Sequence, residues 1–174
     1  PFPQHYYEAE TEPLLINNSI SVQNLSFRYN EKSPWVLDNI SFKIKKGSRI
    51  GLIGSTGSGK STTLDLLMGL LEPTNGNLLI DDHAIDDSSI RSWRQTVAHV
   101  PQSIFLADTS IAENIAFGVP SEEINITQVR DAAKKAMISD FIESRAEGYD
   151  ELVGERGVRL SGGQKQRIGI ARAL

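Results

Sequence analysis

The sequence predicts an α/β fold: an antiparallel strand pair, then a buried strand–loop–helix unit, then a helical region. Three patterns carry that prediction. Leu25, Phe27 and Tyr29 alternate with Ser26 and Arg28, and Ile40, Phe42 and Ile44 alternate with Ser41, Lys43 and Lys45. Period-two alternation marks half-buried strands, here read as antiparallel neighbours. Ile50-Gly51-Leu52-Ile53 is apolar throughout, the pattern of a strand buried on both faces. Leu64, Leu67, Met68 and Leu71 then recur at i, i+3, i+4 and i+7, which is helical spacing. Leu66 and Leu70 add apolar residues on the other side, so this helix is expected to be buried nearly all round.

The remaining elements follow in order. Leu78-Leu79-Ile80 reads as a short strand between turn residues. Val97-Ala98-His99-Val100 reads as another, ended by Pro101, with His99 packed rather than catalytic. Asn125 and Gln128 suggest a capping box, and Val129, Ala132, Ala133, Ala136 and Met137 continue a helix. Ser161 and Gln164 form a second S-x-x-Q box opening a helix with Ile168, Ala171 and Leu174 on one side. Residues 1–18 hold Pro1, Pro3 and Pro13 with Glu8, Glu10 and Glu12 between them, and read as a linker.

Composition narrows the function classes. The 174 residues are 39% hydrophobic and 23% charged, as in an ordinary globular protein, and carry a net charge of −4. That balance argues against a nucleic-acid partner, which favours a basic surface. There is no Cys, so disulfides and thiolate metal sites are excluded. His5, His83 and His99 lack metal-ligand spacing, and Asp81-Asp82 and Asp86-Asp87 read as solvated turns. No apolar run is long enough to span a bilayer. The chain starts at Pro1 and stops inside a helical pattern, so a fragment is expected.

Gly54-Ser55-Thr56-Gly57-Ser58-Gly59-Lys60-Ser61 matches G-x-x-x-x-G-K-[ST] between an apolar run and a helical pattern. Each residue type has a task at a phosphate. The glycines let successive N–H groups turn inward with no Cβ in the way. A helix N-terminus adds partial positive charge. Lys60 is a point charge for the β- and γ-phosphates, Ser61 offers a hydroxyl to Mg²⁺, and Thr62 can donate to the α-phosphate. The motif alone does not separate kinase, GTPase and ATPase.

Leu160-Ser161-Gly162-Gly163-Gln164 places a serine cap and two glycines at a second helix start. Local physics leaves open an ordinary capped helix after a glycine turn. This segment resembles the LSGGQ signature of ATP-binding cassette (ABC) ATPases. Val100-Pro101-Gln102, between the two motifs, resembles the family's Q-loop. Tyr29 stands where the family places an adenine-stacking aromatic, though a plain core or edge aromatic is the alternative. The resemblance covers roughly residues 20 to 174.

It implies a P-loop NTPase (RecA-like) core with an antiparallel β subdomain and a helical signature subdomain, C-terminally incomplete, over residues 19–174. It implies ATP and Mg²⁺ as ligands. Tyr29 would stack on adenine, Gly54 to Thr62 would hold the phosphates, and Lys60 would act in catalysis. Gln102 would meet Mg²⁺ or the attacking water. Ser161, Gly162, Gly163 and Gln164 would close on the nucleotide of a second such domain, paired head to tail.

Phe105 to Ile115 resembles the segment after the Q-loop in exporter-type cassettes, and Val153-Gly154-Glu155-Arg156-Gly157 resembles the exporter X-loop. Both imply contact with the coupling helices of transmembrane domains, although Glu155 and Arg156 also suit a solvated pair. The implied place is the cytoplasmic face of the plasma (inner) membrane, within an integral transporter. The resemblance further implies an apolar strand ending in Asp-Glu (Walker B), a D-loop and a switch histidine, none of which these residues contain. Ile50, Leu52 and Ile53 are therefore expected to lack a partner strand, leaving the isolated chain marginally stable. A soluble ABC ATPase without membrane domains and a non-hydrolytic nucleotide-binding module are the alternative functions.

Overall fold

The computed structural model describes residues 12–174, so His5 and most of the expected linker lie outside the described residues. The chain divides into two units, residues 1–97 and 98–174.

The first unit is built on a four-stranded antiparallel sheet, ordered β2-β1-β3-β4, with β1 Ser19–Phe27, β2 Leu37–Lys45, β3 Asn75–Ile80 and β4 His83–Ala84. The two alternating segments do pair antiparallel, with Val22 opposite Phe42 and Leu25 opposite Ile40. The register shifts between Val22 and Leu25, where Asn24 takes φ 48°. The shift lets Val22 and Leu25 both enter the core, though they are three positions apart. Helix α1, Lys60–Leu67, buries Leu66 against Val22, Leu25, Phe27, Leu37, Leu78, Ile80 and Trp93. Trp93 lies on α2, Ile90–Thr96, and its indole N–H donates to Leu67 O at 2.8 Å. A buried indole needs such a partner.

Three expectations fail in this unit or at its end. Residues 50–53 form no strand, and Ile50 and Ile53 are 59% and 96% exposed. A strand buried on both faces needs ladder partners and covering layers, and no described segment pairs with this one. Helix α1 is not buried all round, because Leu64 is 45% exposed, and Leu70, past the end of the helix, is exposed as well. Residues 97–100 also form no strand, and His99 is exposed rather than packed. Asp81 lies in a turn, as read, and also accepts backbone N–H groups from Asn17, Asn18 and Ser19 at 2.6, 2.6 and 2.8 Å. Those bonds, with Leu14 N–H donating to Ser92 O at 3.1 Å, fix the chain entering β1.

The second unit is helical: α3 Ile111–Ile115, α4 Ile126–Lys135, α5 Ser139–Glu143 and α6 Gly162–Arg172. Its core gathers Leu106, Ile111, Ile138, Ile142, Val153 and Ile168, each at most 1% exposed. The Asn125 side chain caps α4 by accepting from the N–H groups of Thr127 and Gln128. The Ser161 cap of α6 is reciprocal: Ser161 Oγ accepts from Gln164 N, and Ser161 N donates to Gln164 Oε1 at 2.8 Å. Ile168 and Ala171 face the core as expected, whereas Leu174 lies past the helix end and is exposed. Among the described residues no helix is long and apolar enough to cross a membrane.

Candidate functional site

Each unit holds part of the expected site. In the first, residues 54–59 curl from the exposed apolar segment into the start of α1. Gly59 is the N-cap, with φ 82°. A side chain there would be strained, and its Cβ would lie 2.8 Å from Leu37 Cδ2 and 3.1 Å from Val36 O. Glycine is thus required both by the turn and by the packing beneath it. Gly57 shares φ 82° but has open space around its missing Cβ, leaving room on the outer side of the loop.

Lys60 folds back into the loop it follows. Its Nζ donates to Gly54 O at 2.9 Å, Ser55 O at 2.6 Å and Ser58 Oγ at 3.4 Å. The ladder of α1 begins with Thr63 N–H donating to Gly59 O at 2.8 Å. The N–H groups before it form the open first turn, where the helix dipole favours an anion. Ammonium, open amides and glycine clearance therefore converge on one concave loop. Ser61 is exposed beside it. Its hydroxyl is a hard oxygen of the kind Mg²⁺ accepts.

Tyr29 lies past the end of β1 and is 63% exposed. Its hydroxyl is 3.3 Å from Thr62 Oγ1, and its ring meets Phe27 edge-on at 5.0 Å. Tyr29, Thr62 and the glycine loop are thus brought together. The exposed ring face is the surface a planar base would stack on.

Gln102, Ser161, Gly162, Gly163 and Gln164 all belong to the second unit. Gln102 is exposed in a bend, and its backbone oxygen accepts from Gln166 Nε2 at 2.6 Å. Ser161, Gly162 and Gly163 are exposed at the start of α6, with Gln164 half-buried by its return bond. In residues 153–157, Lys165 Nζ donates to Arg156 O at 2.9 Å, and Glu155 and Arg156 are both exposed. In residues 105–115, Leu106, Ile111 and Ile115 enter the core while Phe105 stays 63% exposed.

Sequence reasoning missed Asn114, which is fully buried and orders the preceding loop. Its side chain bonds both backbone groups of Ala107 at 3.0 Å, with further bonds to Thr109 Oγ1 and Ser110 O. An asparagine between Glu113 and Ile115, in a short helix otherwise carrying Ile111, Ala112 and Ile115, was the available signal. Also missed were Gln166 and Arg172, whose partners are backbone carbonyls and leave no mark in the sequence.

The first unit carries a lysine-centred glycine loop and the second a serine-capped helix, and residues 37–174 match the family described as ABC transporter. The chain belongs to the ABC transporter family. It is 43% identical over 159 residues to an uncharacterized ABC transporter ATP-binding protein, YfiB, of Bacillus subtilis, covering 91% of this chain and 27% of that protein. It is 42% identical over 173 residues to the alpha-hemolysin translocation ATP-binding protein HlyB of Proteus vulgaris, covering 99% of this chain and 24% of HlyB. The solved structure of a bacterial Atm1-family ABC exporter with ATP bound superposes with a TM-score of 0.80 at 39% identity, covering 94% of this chain and 28% of that one. The α/β class expected from the sequence stands on that match. The chain spans about a quarter of the length of these ABC relatives.

Proposed function

We propose that residues 19–174 are the nucleotide-binding domain of an ABC exporter, following a linker over residues 1–18, and that the complete protein couples ATP hydrolysis to outward transport. The observation that carries this is the loop of residues 54–59 closed around Lys60 at the start of α1. Lys60 exchanges its loop oxygens for the β- and γ-phosphates of ATP, and the amides of the first turn take the remaining oxygens. Thr62 stands at the α-phosphate and the Tyr29 ring stacks on adenine. Ser61 is the protein ligand proposed for Mg²⁺, which when bound would neutralise charge on the phosphates, and Gln102, by its family position alone, is assigned to Mg²⁺ or the attacking water. These residues bind and orient. None is a carboxylate, so the general base for hydrolysis lies outside the set.

The signature residues Ser161 to Gln164 serve the nucleotide of a second domain, paired head to tail, because a capped helix start is an anion-binding end. Residues 105–115 and 153–157 are the surfaces proposed to meet transmembrane domains, placing the chain on the cytoplasmic face of the membrane. The export class draws on the likeness to HlyB, described as a translocation ATP-binding protein, and to the Atm1-family exporter. Lys60→Ala in the complete protein tests the reading. ATP hydrolysis is expected to fall at least about a hundredfold, the scale of losing one transition-state charge contact. Unchanged hydrolysis would overturn it.

A further inference from the structure

Three residues on one side of α6 engage three residues of the segment that begins at Gln102. Gln166 Nε2 donates to Gln102 O at 2.6 Å. One turn on, Gly169 is buried against Ile104. A Cβ at Gly169 would lie 2.9 Å from Ile104 Cγ1 and closer still to Cδ1, so the helix must be bare there. One turn further, Arg172 Nη1 donates to Phe105 O at 3.0 Å and Nε to Asn114 O at 2.9 Å, with the guanidinium 4.5 Å over the Phe117 ring. Positions 166, 169 and 172 are i, i+3 neighbours along the helix surface. They meet residues 102, 104 and 105 in the same order.

The same helix carries the Ser161–Gln164 capping box at its start. Helix backbone is stiff, with a fixed rise of about 1.5 Å per residue. The Gln102 backbone and the signature turn are thus mounted on one rod. The Gln102 side chain remains exposed while its main chain is held.

We infer that Gln166, Gly169 and Arg172 form a seat on α6 for residues 102–105, and that Gln166 is a positioning residue for Gln102. The role of Gln102 rests on the nucleotide reading above, whereas the seat itself is independent of it. The Gln166 amide suits the task because it offers an N–H donor at full side-chain reach. The seat ties the orientation of Gln102 to that of the signature turn, so one moves with the other.

Amide hydrogen exchange and steady-state ATP hydrolysis, both on the complete protein carrying this chain, test the inference. Gln166→Leu removes the donor at similar size. Exchange at Ser103 to Leu106 is expected to rise about fivefold, the scale of one neutral hydrogen bond. The kcat for ATP should fall severalfold while KM for ATP stays within about twofold, because the lost contact positions a catalytic group and leaves ground-state binding alone. Gln166→Lys keeps an N–H donor and is expected to restore both readouts. Arg172→Lys, which loses the guanidinium fork, should shift exchange in the same direction and keeps the test standing if Gln166→Leu folds poorly. Unchanged exchange in Gln166→Leu, a raised KM with kcat preserved, or a Gln166→Lys that behaves like Gln166→Leu would each overturn the inference. Wild-type protein that neither binds nor hydrolyses ATP would overturn the nucleotide reading, and the exchange comparison would still decide the seat.

Discussion

In the second unit, Leu106, Ile111, Ile138, Ile142, Val153 and Ile168 are all at most 1% exposed, whereas in the first Ile53 stands 96% exposed and Ile50 59%. The difference follows from how each kind of backbone satisfies itself. The helices of the second unit pair their own N–H and C=O groups, so their apolar stripes need only one another. The apolar run at residues 50–53 needs a neighbouring strand for its ladder and a layer on each face, and the described chain offers neither. Helical burial is completed locally, and sheet burial depends on the whole set of strands.

The largest effect expected to test this contrast is in the second core. Ile142→Ala should cost about 2–5 kcal/mol in denaturant unfolding, as buried large-to-small changes do. Ile53→Ala should fall within about 0.5 kcal/mol and reduce aggregation of the isolated chain. Equal costs would break the comparison, as would a sharp cooperative melt of the isolated chain with both apolar faces intact.

Glycine substitutions come next. Gly157 combines φ 68° with a Leu106 methyl 2.6 Å from where its Cβ would lie, so Gly157→Ala is expected to cost about 2–4 kcal/mol. Gly57→Ala in the open loop of the first unit keeps only the backbone penalty of about 1–2 kcal/mol. Thermal melts of the two variants compare them directly. Smaller again, Ser161→Ala should remove about 1 kcal/mol with the reciprocal cap. The corresponding helix start in the first unit, at Gly59, has no side-chain cap to lose.

Acid gives the smallest contrast. Hydrogen bonds from the Ser19 and Asn17 backbone hold the Asp81 carboxyl below its ordinary value, and the Ser88 and Ser89 hydroxyls lower Asp86 from 3.8 to about 2. The Ser110 backbone N–H and the Ser121 hydroxyl lower Glu113 in the second unit. A depressed carboxyl contributes stability above its unfolded value and loses it as pH falls through the folded one. The Asp86 contribution is therefore lost between about pH 3.8 and 2. Asp81→Asn should flatten the acid limb for the first unit, followed by the exchange of Asn17 to Ser19, and leave the Glu113 response in place.

What could be read from the sequence was what is written locally. The alternation in Leu25–Tyr29 and Ile40–Ile44 gave the strand pair, the glycine spacing gave the loop at Lys60, and Ser161 with Gln164 gave a cap that closes as drawn. The apolar runs at 50–53 and 97–100 misled because residue type shows that a segment suits a strand without showing that a partner exists. Asp81 was missed because its donors lie 62 to 64 residues earlier in the chain. Asn114, Gln166 and Arg172 were missed because each speaks mainly to main-chain atoms, which every residue possesses.

The three oxygens around Lys60 have one more consequence. Its ammonium is shared among Gly54 O, Ser55 O and Ser58 Oγ. The side chain is its own placeholder: an incoming anion inherits a shaped cradle and has to outbid the loop's own carbonyls for the charge. On the nucleotide reading proposed above, a weak or singly charged anion would gain little by the exchange, while a polyphosphate would also collect the open amides of the first turn. It also means that removing the lysine deletes a charge and slackens the ring it holds, two losses that a single alanine variant reports as one.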